Sequence, residues 1–373
     1  MPLKIVSNKK YAFDLSPDDW KAWLKENGYP AYAAAQIIGW VYQKGEINPE
    51  CFSNISKDLR SRLIDEFTWV LPEVDAHLVS VDKSEKFLLK AGDGELYEMV
   101  LMPYENRVTL CISSQIGCRM GCTFCQTGKM GLKRNLSAGE ILAQILLANR
   151  SSSTKKVTNI VFMGMGEPLD NYGAVLAACR MMVDPKAFGL SMHRVTVSTS
   201  GLVEAIDKLG KDLPVRLAIS LHNADDAKRS EIMPVNRTNN LDTLKQTLLR
   251  YPAPKRYGIT FEYVMIEGVN DSIADAKRLV SFLNGLKAKV NLIPINHFPG
   301  LQMQASAEDS LKRFQKYLSD RSIPAPIRYS RGQDISGGCG QLAAKRKDEL
   351  DMDPRELHRI RRREARVAER VSQ

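Results

Sequence analysis

Four of the chain's seven cysteines lie in one stretch, CISSQIGCRMGCTFCQTGKMGL, from Cys111 to Leu132. Cys118, Cys122 and Cys125 stand at CxxxCxxC spacing, with Cys111 seven residues upstream. A further cysteine, Cys339, sits in a glycine-rich GGCGQL near the other end. Crowding of this kind reads as metal ligation or catalysis rather than packing. Four thiolates would close a metal site, whether structural zinc or an ordinary iron–sulfur cluster. CxxxCxxC supplies only three at close spacing, and no CxxC or HxxxH elsewhere completes a zinc site. Three thiolates around a four-iron cubane leave one iron without a protein ligand. The plain alternative is zinc completed by a distant His or Cys, which would leave the polar motifs described below without a role. Cys111, read alone, is a buried strand cysteine, the commonest fate of a free thiol. Cys339, between glycines, has little packing to do. Cys51 and Cys179 match no motif and read as structural.

The elements that position these residues follow from changes of period. From about residue 15 to 67 the pattern is helical: SPDDWKAWLKENG opens with Ser16 as cap and Pro17 at the first helical position and stops at Gly28. AYAAAQIIGWVYQKG and SKDLRSRLIDEF add two more helical segments, and Trp20, Trp23 and Trp40 read as core. KFLLKAGDGELYEMVLM then reads as a hairpin around Gly92-Asp93-Gly94, with Leu96, Glu98, Val100 and Met102 on one face. On spacing alone Glu98 is an edge-strand glutamate pointing at solvent. Beyond it strand and helix alternate to near residue 330, the strands being VTLCIS, VTNIVFMG, HRVTVSTS, VRLAISLH, GITFEYVMI and KVNLIPIN, with a last piece at APIRYS. SAGE, with Ser137 and Glu140, is a capping box that announces the first intervening helix. The fold class is therefore α/β, a parallel sheet curved into a full or partial barrel with a small helical domain before it. The motifs GMGEPLDN, STSG, SLHN and INHFPG fall at the C-terminal ends of strands, where such barrels collect ligands.

The chain has 373 residues, 44% of them apolar, enough for one main domain plus an appendage. It contains no run of about 18 apolar residues, and its first twenty residues lack the apolar core of a signal peptide. These features predict a cytoplasmic protein with no membrane span, in which thiols stay reduced. The net charge of +10 and pI near 9.2 suit a polyanionic partner, nucleic acid first, though many basic enzymes never touch RNA. The tail KRKDELDMDPRELHRIRRREARVAERVSQ, with ten Lys or Arg against seven Asp or Glu, reads as a solvated helix.

The three-cysteine loop after the first barrel strand, with Phe124 just before the last cysteine, resembles the radical S-adenosylmethionine superfamily. GMGEP, with Gly164, Gly166 and Glu167, resembles that superfamily's glycine-rich segment, which receives the cofactor's amino group. Taken with STSG, SLHN, MPVN, GVND and SRGQDISGGCGQL, these motifs resemble the RlmN family of RNA adenine methyltransferases, relatives of the Cfr resistance enzymes. The resemblance covers nearly the whole chain, including the helical start. The proline of GMGEPL favours RlmN over Cfr-like sequences, which tend to carry alanine there. Two departures are the glycines before Cys339, where relatives usually carry alanines, and the basic C-terminal extension.

The resemblance implies a partial (β/α)6 barrel. It divides the chain into a helical RNA-binding domain (1–73), a hairpin linker carrying a base (74–103), a radical core (104–331), a loop with a methyl-carrier cysteine (332–344) and a basic tail (345–373). It implies one [4Fe-4S] cluster on Cys118, Cys122 and Cys125, completed by S-adenosylmethionine, and two S-adenosylmethionine molecules per turnover. Cofactor contacts carried over are Gly166, Glu167, Ser198, Ser220, Leu221, His222 and Asn296. Taken singly, His222 reads equally as a satisfied core histidine and Asn296 as a turn former. The implied reaction methylates carbon 2 of the peptidyl-transferase-centre adenine of 23S rRNA, and of an adenine beside the anticodon in certain tRNAs. An electron-poor amidine carbon cannot attack an electrophilic methyl, so the route is radical and the cofactor carries the hard step. In the family's scheme Cys339 becomes S-methylcysteine and a covalent protein–RNA adduct follows. Glu98 then accepts the ring proton, and Cys111 resolves the adduct through a transient disulfide with Cys339. The resemblance further implies a monomer fed by an external one-electron reductant such as flavodoxin. Two other readings are a Cfr-like enzyme acting at carbon 8 and a non-catalytic iron–sulfur RNA-binding protein, which would need neither Cys111 nor Cys339.

Overall fold

The computed structural model describes residues 9–151, 156–253, 258–298 and 300–335. Cys339, most of the 332–344 loop and the 345–373 tail lie outside the described residues, as do residues 1–8.

The helical start forms as its caps dictate. Ser16 and Asp19 close a reciprocal capping box at the head of Pro17–Glu26, and Ser56 caps Lys57–Glu66. The chain enters and leaves this module on a short parallel pair, β1 (Lys10–Tyr11) and β2 (Phe67–Thr68). Trp20 and Trp23 are core residues, and Trp40 is half-buried, its ring stacked on Phe52. The module docks on the helix Ala138–Ser151 behind the main sheet. There Asp14 accepts from the Gly139 amide at 2.7 Å, and a side chain at Gly139 would collide with Asp14.

Nine strands make the main sheet. β3 (Glu73–Val79), β4 (Glu85–Lys90) and β5 (Leu96–Tyr104) form an antiparallel meander, and β5 pairs antiparallel with β6 (Arg107–Cys111). The hairpin at Gly92–Gly94 thus continues the sheet instead of standing apart from it. A separate hairpin, β7 (Gln115–Cys118) and β8 (Gly131–Asn135), carries the cysteine loop. β9 (Asn159–Phe162), β10 (Val195–Thr199), β11 (Arg216–Ser220), β12 (Ile259–Met265) and β13 (Ala288–Pro294) then add one by one in parallel beyond β6. Each crossover carries a helix, which covers the sheet's outer face and explains the nearly continuous Val, Ile and Leu of these strands. The helix Ala138–Ser151 starts at the Ser137–Glu140 box read from SAGE.

The six parallel strands curl into a partial barrel. Residues of β6 and β13, at opposite ends of the six, line the same interior cavity. The remaining gap is bridged by the segment after the last helix. Ile327 pairs beside Leu292 on β13, and Arg331, Gly332 and Asp334 then reach the β3–β4 turn. No helix among the described residues is long and apolar enough to cross a membrane.

Candidate active site

The cysteine loop leaves the barrel just after β6. Cys118 ends β7, Cys122 and Cys125 follow in the turn, and Thr123 donates to the Ile232 carbonyl at 3.0 Å, pinning the loop across the rim. All three cysteines and Phe124 face one cavity of about 330 Å³, a volume suited to a small molecule. Among the described residues no group of three or more His, Cys, Asp or Glu side chains is placed to hold a single metal ion. Burial pushes the Cys118 thiol up to about 12 and raises Cys122 and Cys125 as well. Only a strongly cationic centre would hold them as thiolates, which is what iron supplies. The donor set and spacing fit an iron–sulfur cluster.

The rest of this cavity comes from strand ends. After β9 the chain turns at Gly166, whose φ of +101° and approach to Gln115, 2.5 Å from where a Cβ would stand, admit only glycine. The next residue, Glu167, is buried. Its carboxylate accepts from the Ser200 amide at 2.7 Å and the Leu169 amide at 3.0 Å, tying the β9 turn to the β10 end. Burial raises its carboxyl, with these bonds opposing. Ser198, Ser220, His222 and Asn296 line the same cavity. His222 is neutral: burial, with Arg229 adding, lowers it to about 3. Its Nδ1 accepts from the Val264 amide at 3.0 Å, and its ring meets the Phe124 edge. Asn296 donates to Ser330 at 2.6 Å. The Leu221 side chain does not join them. It is buried in the core, and only its backbone serves the rim, its amide donating to the Glu262 carbonyl.

A second cavity of about 1190 Å³ occupies the barrel interior, and Cys111 lies on its wall. The two cavities share Met163, Glu262, Ile293 and Ser330, so they meet. Burial pushes the Cys111 thiol up to about 12; Glu98 adds to the shift, while the Met163 backbone and Lys86 oppose it. Glu98 does not point at solvent as its alternation suggested. It is 3% exposed, its carboxylate 3.3 Å from the Nζ of Lys86, itself fully buried. The reason is topological: β5 is flanked by β4 and β6 and is not an edge. Val100 pairs with both Lys86 and Cys111, which puts Glu98, Lys86 and Cys111 on one face of the sheet. Glu98 itself lines neither cavity.

Residues 112–280 match the radical SAM superfamily, and residues 12–68 match the ribosomal RNA large subunit methyltransferase N-terminal domain. The dual-specificity RNA methyltransferase RlmN of Geotalea uraniireducens is 45% identical over 327 residues, 87% of this chain and 94% of its own length. Its counterpart in Alkalilimnicola ehrlichii is 41% identical over 95% of this chain and 99% of its own. The chain belongs to the RlmN family. The crystal structure of a radical SAM methyltransferase from Sphaerobacter thermophilus superposes on this RlmN-family chain with a TM-score of 0.84. It is 40% identical and matches over 89% of this chain and 98% of that one. Superfamily membership implies a [4Fe-4S] cluster and S-adenosylmethionine, and the cavity behind Cys118, Cys122 and Cys125 has the donors for both.

Three features of this RlmN-family chain escaped sequence reasoning. Arg229 is fully buried behind the rim, donating to the Leu221, Ser200 and Ser220 carbonyls and to Asn236, so it fixes the ends of β10 and β11 together. Its only signal is a lone arginine just before MPVN. Glu262, at the junction of the cavities, is held by Asn291 at 2.8 Å. The third is a clasp on the strand-like strap that leads toward Cys339. Arg331 donates to the Asp82 carboxylate at 3.1 Å and to the Pro103 carbonyl at 2.9 Å, and the Gly332 amide also reaches Asp82. Asp334 accepts from Ser80 at 2.6 Å. Burial alone would raise the Asp82 carboxyl; bonds from Ser84, Gly332 and Arg331 outweigh it and hold the group far below the usual range. Of the seven cysteines, Cys179 is buried as a structural residue should be, whereas Cys51 is exposed.

Proposed function

We propose that this chain methylates carbon 2 of the peptidyl-transferase-centre adenine in 23S rRNA, and of an adenine beside the anticodon in certain tRNAs. The observation that carries this reading is the junction of two cavities. One is walled by Cys118, Cys122, Cys125 and Glu167, and the other by Cys111, in a chain whose relatives are named dual-specificity RNA methyltransferases. When bound, the cluster and S-adenosylmethionine supply one-electron chemistry that reaches an unreactive carbon.

The chain's own residues do the rest. Cys118, Cys122 and Cys125 hold the cluster. The Glu167 carboxylate, with Ser198, Ser220, His222 and Asn296 around it, orients the cofactor, and Phe124 and His222 close one side against water. Cys339 takes the one-carbon unit on its sulfur and carries it to the base. Eight residues lie between it and Ser330, which lines both cavities. With Arg331, Gly332 and Asp334 held on the β3–β4 turn, the four steps from Ile335 to Cys339 span up to about 14 Å when extended. Glu98 removes the ring proton, its position fixed by Lys86. The Cys111 thiolate then attacks the Cys339 sulfur; an S–S bond forms as the C–S bond to the base breaks, and the carbon takes a proton. We assign RNA-backbone contacts to the helical module over residues 1–73 and to the basic surface. The protein acts in the cytoplasm as a monomer, with two S-adenosylmethionine molecules consumed per turnover and electrons from an external reductant such as flavodoxin.

Mass mapping of the nucleoside formed on a 23S rRNA transcript by the anaerobically reconstituted enzyme tests the reading. We expect 2-methyladenosine; 8-methyladenosine as the sole product would move the chain to the Cfr chemistry.

A further inference from the structure

The barrel interior changes character along its strands. On β6 the inward positions run Arg107, Thr109, Cys111; on β11, Arg216, Ala218, Ser220; on β13, Lys289, Asn291, Ile293. Each series climbs from a cation, through a small or polar residue, to the end where the cofactor cavity begins. Arg328, on the strap beside β13, adds a fourth positive group to the cationic end. Among the described residues lining the large cavity seven are Lys or Arg and one, Glu262, is acidic, so the interior is far from neutral. Three of the seven also meet a carboxylate or an aromatic ring: Arg331 holds Asp82, Arg321 stacks on Tyr317 and Arg107 lies over Tyr104 at 4.2 Å. Arg107, Arg216, Lys289 and Arg328 line the same cavity; burial lowers the Lys289 pKa, Arg328 lowers it further, Glu262 opposes, and Arg216 and Arg107 add smaller lowering effects.

Like charges gathered in a concave wall raise the local concentration of anions and are relieved by one. From Arg107 to Cys111 the strand rises on the order of 13 Å, so a base reaching Cys111 from this end must leave its stack while its backbone stays at the mouth. We infer that Arg107, Arg216, Lys289 and Arg328 form a docking mouth for the phosphodiester groups that flank the target nucleotide. The inference rests on the RNA methyltransferase reading and adds to it the route by which RNA enters.

The test measures binding of a 23S rRNA transcript to the full reconstituted chain as salt is raised, for the parent, Arg107→Gln, the double variant Lys289→Gln/Arg328→Gln, and the charge-keeping Arg328→Lys. Iron content and unfolding temperature report on folding, and Arg107→Gln, at an exposed position, gives an answer should the double variant misfold. Affinity of the double variant should fall on the order of tenfold at fixed salt. The slope of log K against log salt should become shallower by about 1 for each contact removed, while Arg328→Lys keeps the parent slope. Folded variants that bind like the parent with an unchanged slope would overturn the inference. So would displacement of the transcript by inorganic phosphate at constant ionic strength, which would assign the mouth to a small anion. A parent that binds no RNA would sink the methyltransferase reading itself, a result distinct from either.

Discussion

A buried thiol is a poor nucleophile until it loses its proton. Cys111, pushed up to about 12 by burial beside Glu98, is almost wholly protonated at neutral pH. Because a raised thiol pKa favours the neutral form, thiolate becomes available only as pH rises. If Cys111 performs the resolving attack, release of the protein–RNA adduct in a single-turnover assay should therefore speed up about tenfold per pH unit from 7 to 9. A flat profile would assign release to another group. Cys111→Ala should accumulate RNA crosslinked to the protein, seen as a slow band that ribonuclease removes; recovery of free protein alone would count against the role. The convergence of Cys118, Cys122 and Cys125 on one cavity was legible at this scale because three cysteines at CxxxCxxC spacing have few other uses. For Glu98, the base we propose, the local pattern pointed the other way, toward solvent. Its alternation is that of any half-exposed strand, and its burial depends on β6 covering β5, a long-range pairing that local periodicity does not encode.

Among the elements, the strap from Ile327 to Ile335 matters most, because it bridges the barrel's gap and runs toward the residue that no barrel strand carries. Its hold on the β3–β4 turn depends on Asp82, which receives both Arg331 and the Gly332 amide. Asp82→Ala should slow RNA methylation between about tenfold and a hundredfold by misplacing the segment that precedes Cys339. Iron content and RNA affinity should stay near the parent's. A methylation rate equal to the parent's would show that the clasp positions nothing of consequence. The strands and helices themselves were readable, since SAGE, SPDDW and the β-branched runs carry their own start signals and periods. The clasp was not. Asp82 and Arg331 are 249 residues apart, and each alone resembles a solvated surface charge.

At the scale of the whole molecule, the parallel barrel gathers strand-end motifs on one rim, so STSG, SLHN and INHFPG could be assigned to a single cavity before any contact was known. The same geometry sorts the interior into a cationic end and a sulfur-bearing end. No linear motif announces this gradient, since Arg107, Arg216, Lys289 and Arg328 lie in four separate segments. The account's central claim is that a sulfur outside the described residues relays one carbon between the two cavities. Its most direct test is the mass of the peptide bearing Cys339, after anaerobic incubation of the enzyme with S-adenosylmethionine, set beside RNA methylation by Cys339→Ala. The account predicts one added methyl group on Cys339 and no methylated RNA from the variant. An unmodified Cys339 peptide, together with a variant that still methylates RNA, would contradict it.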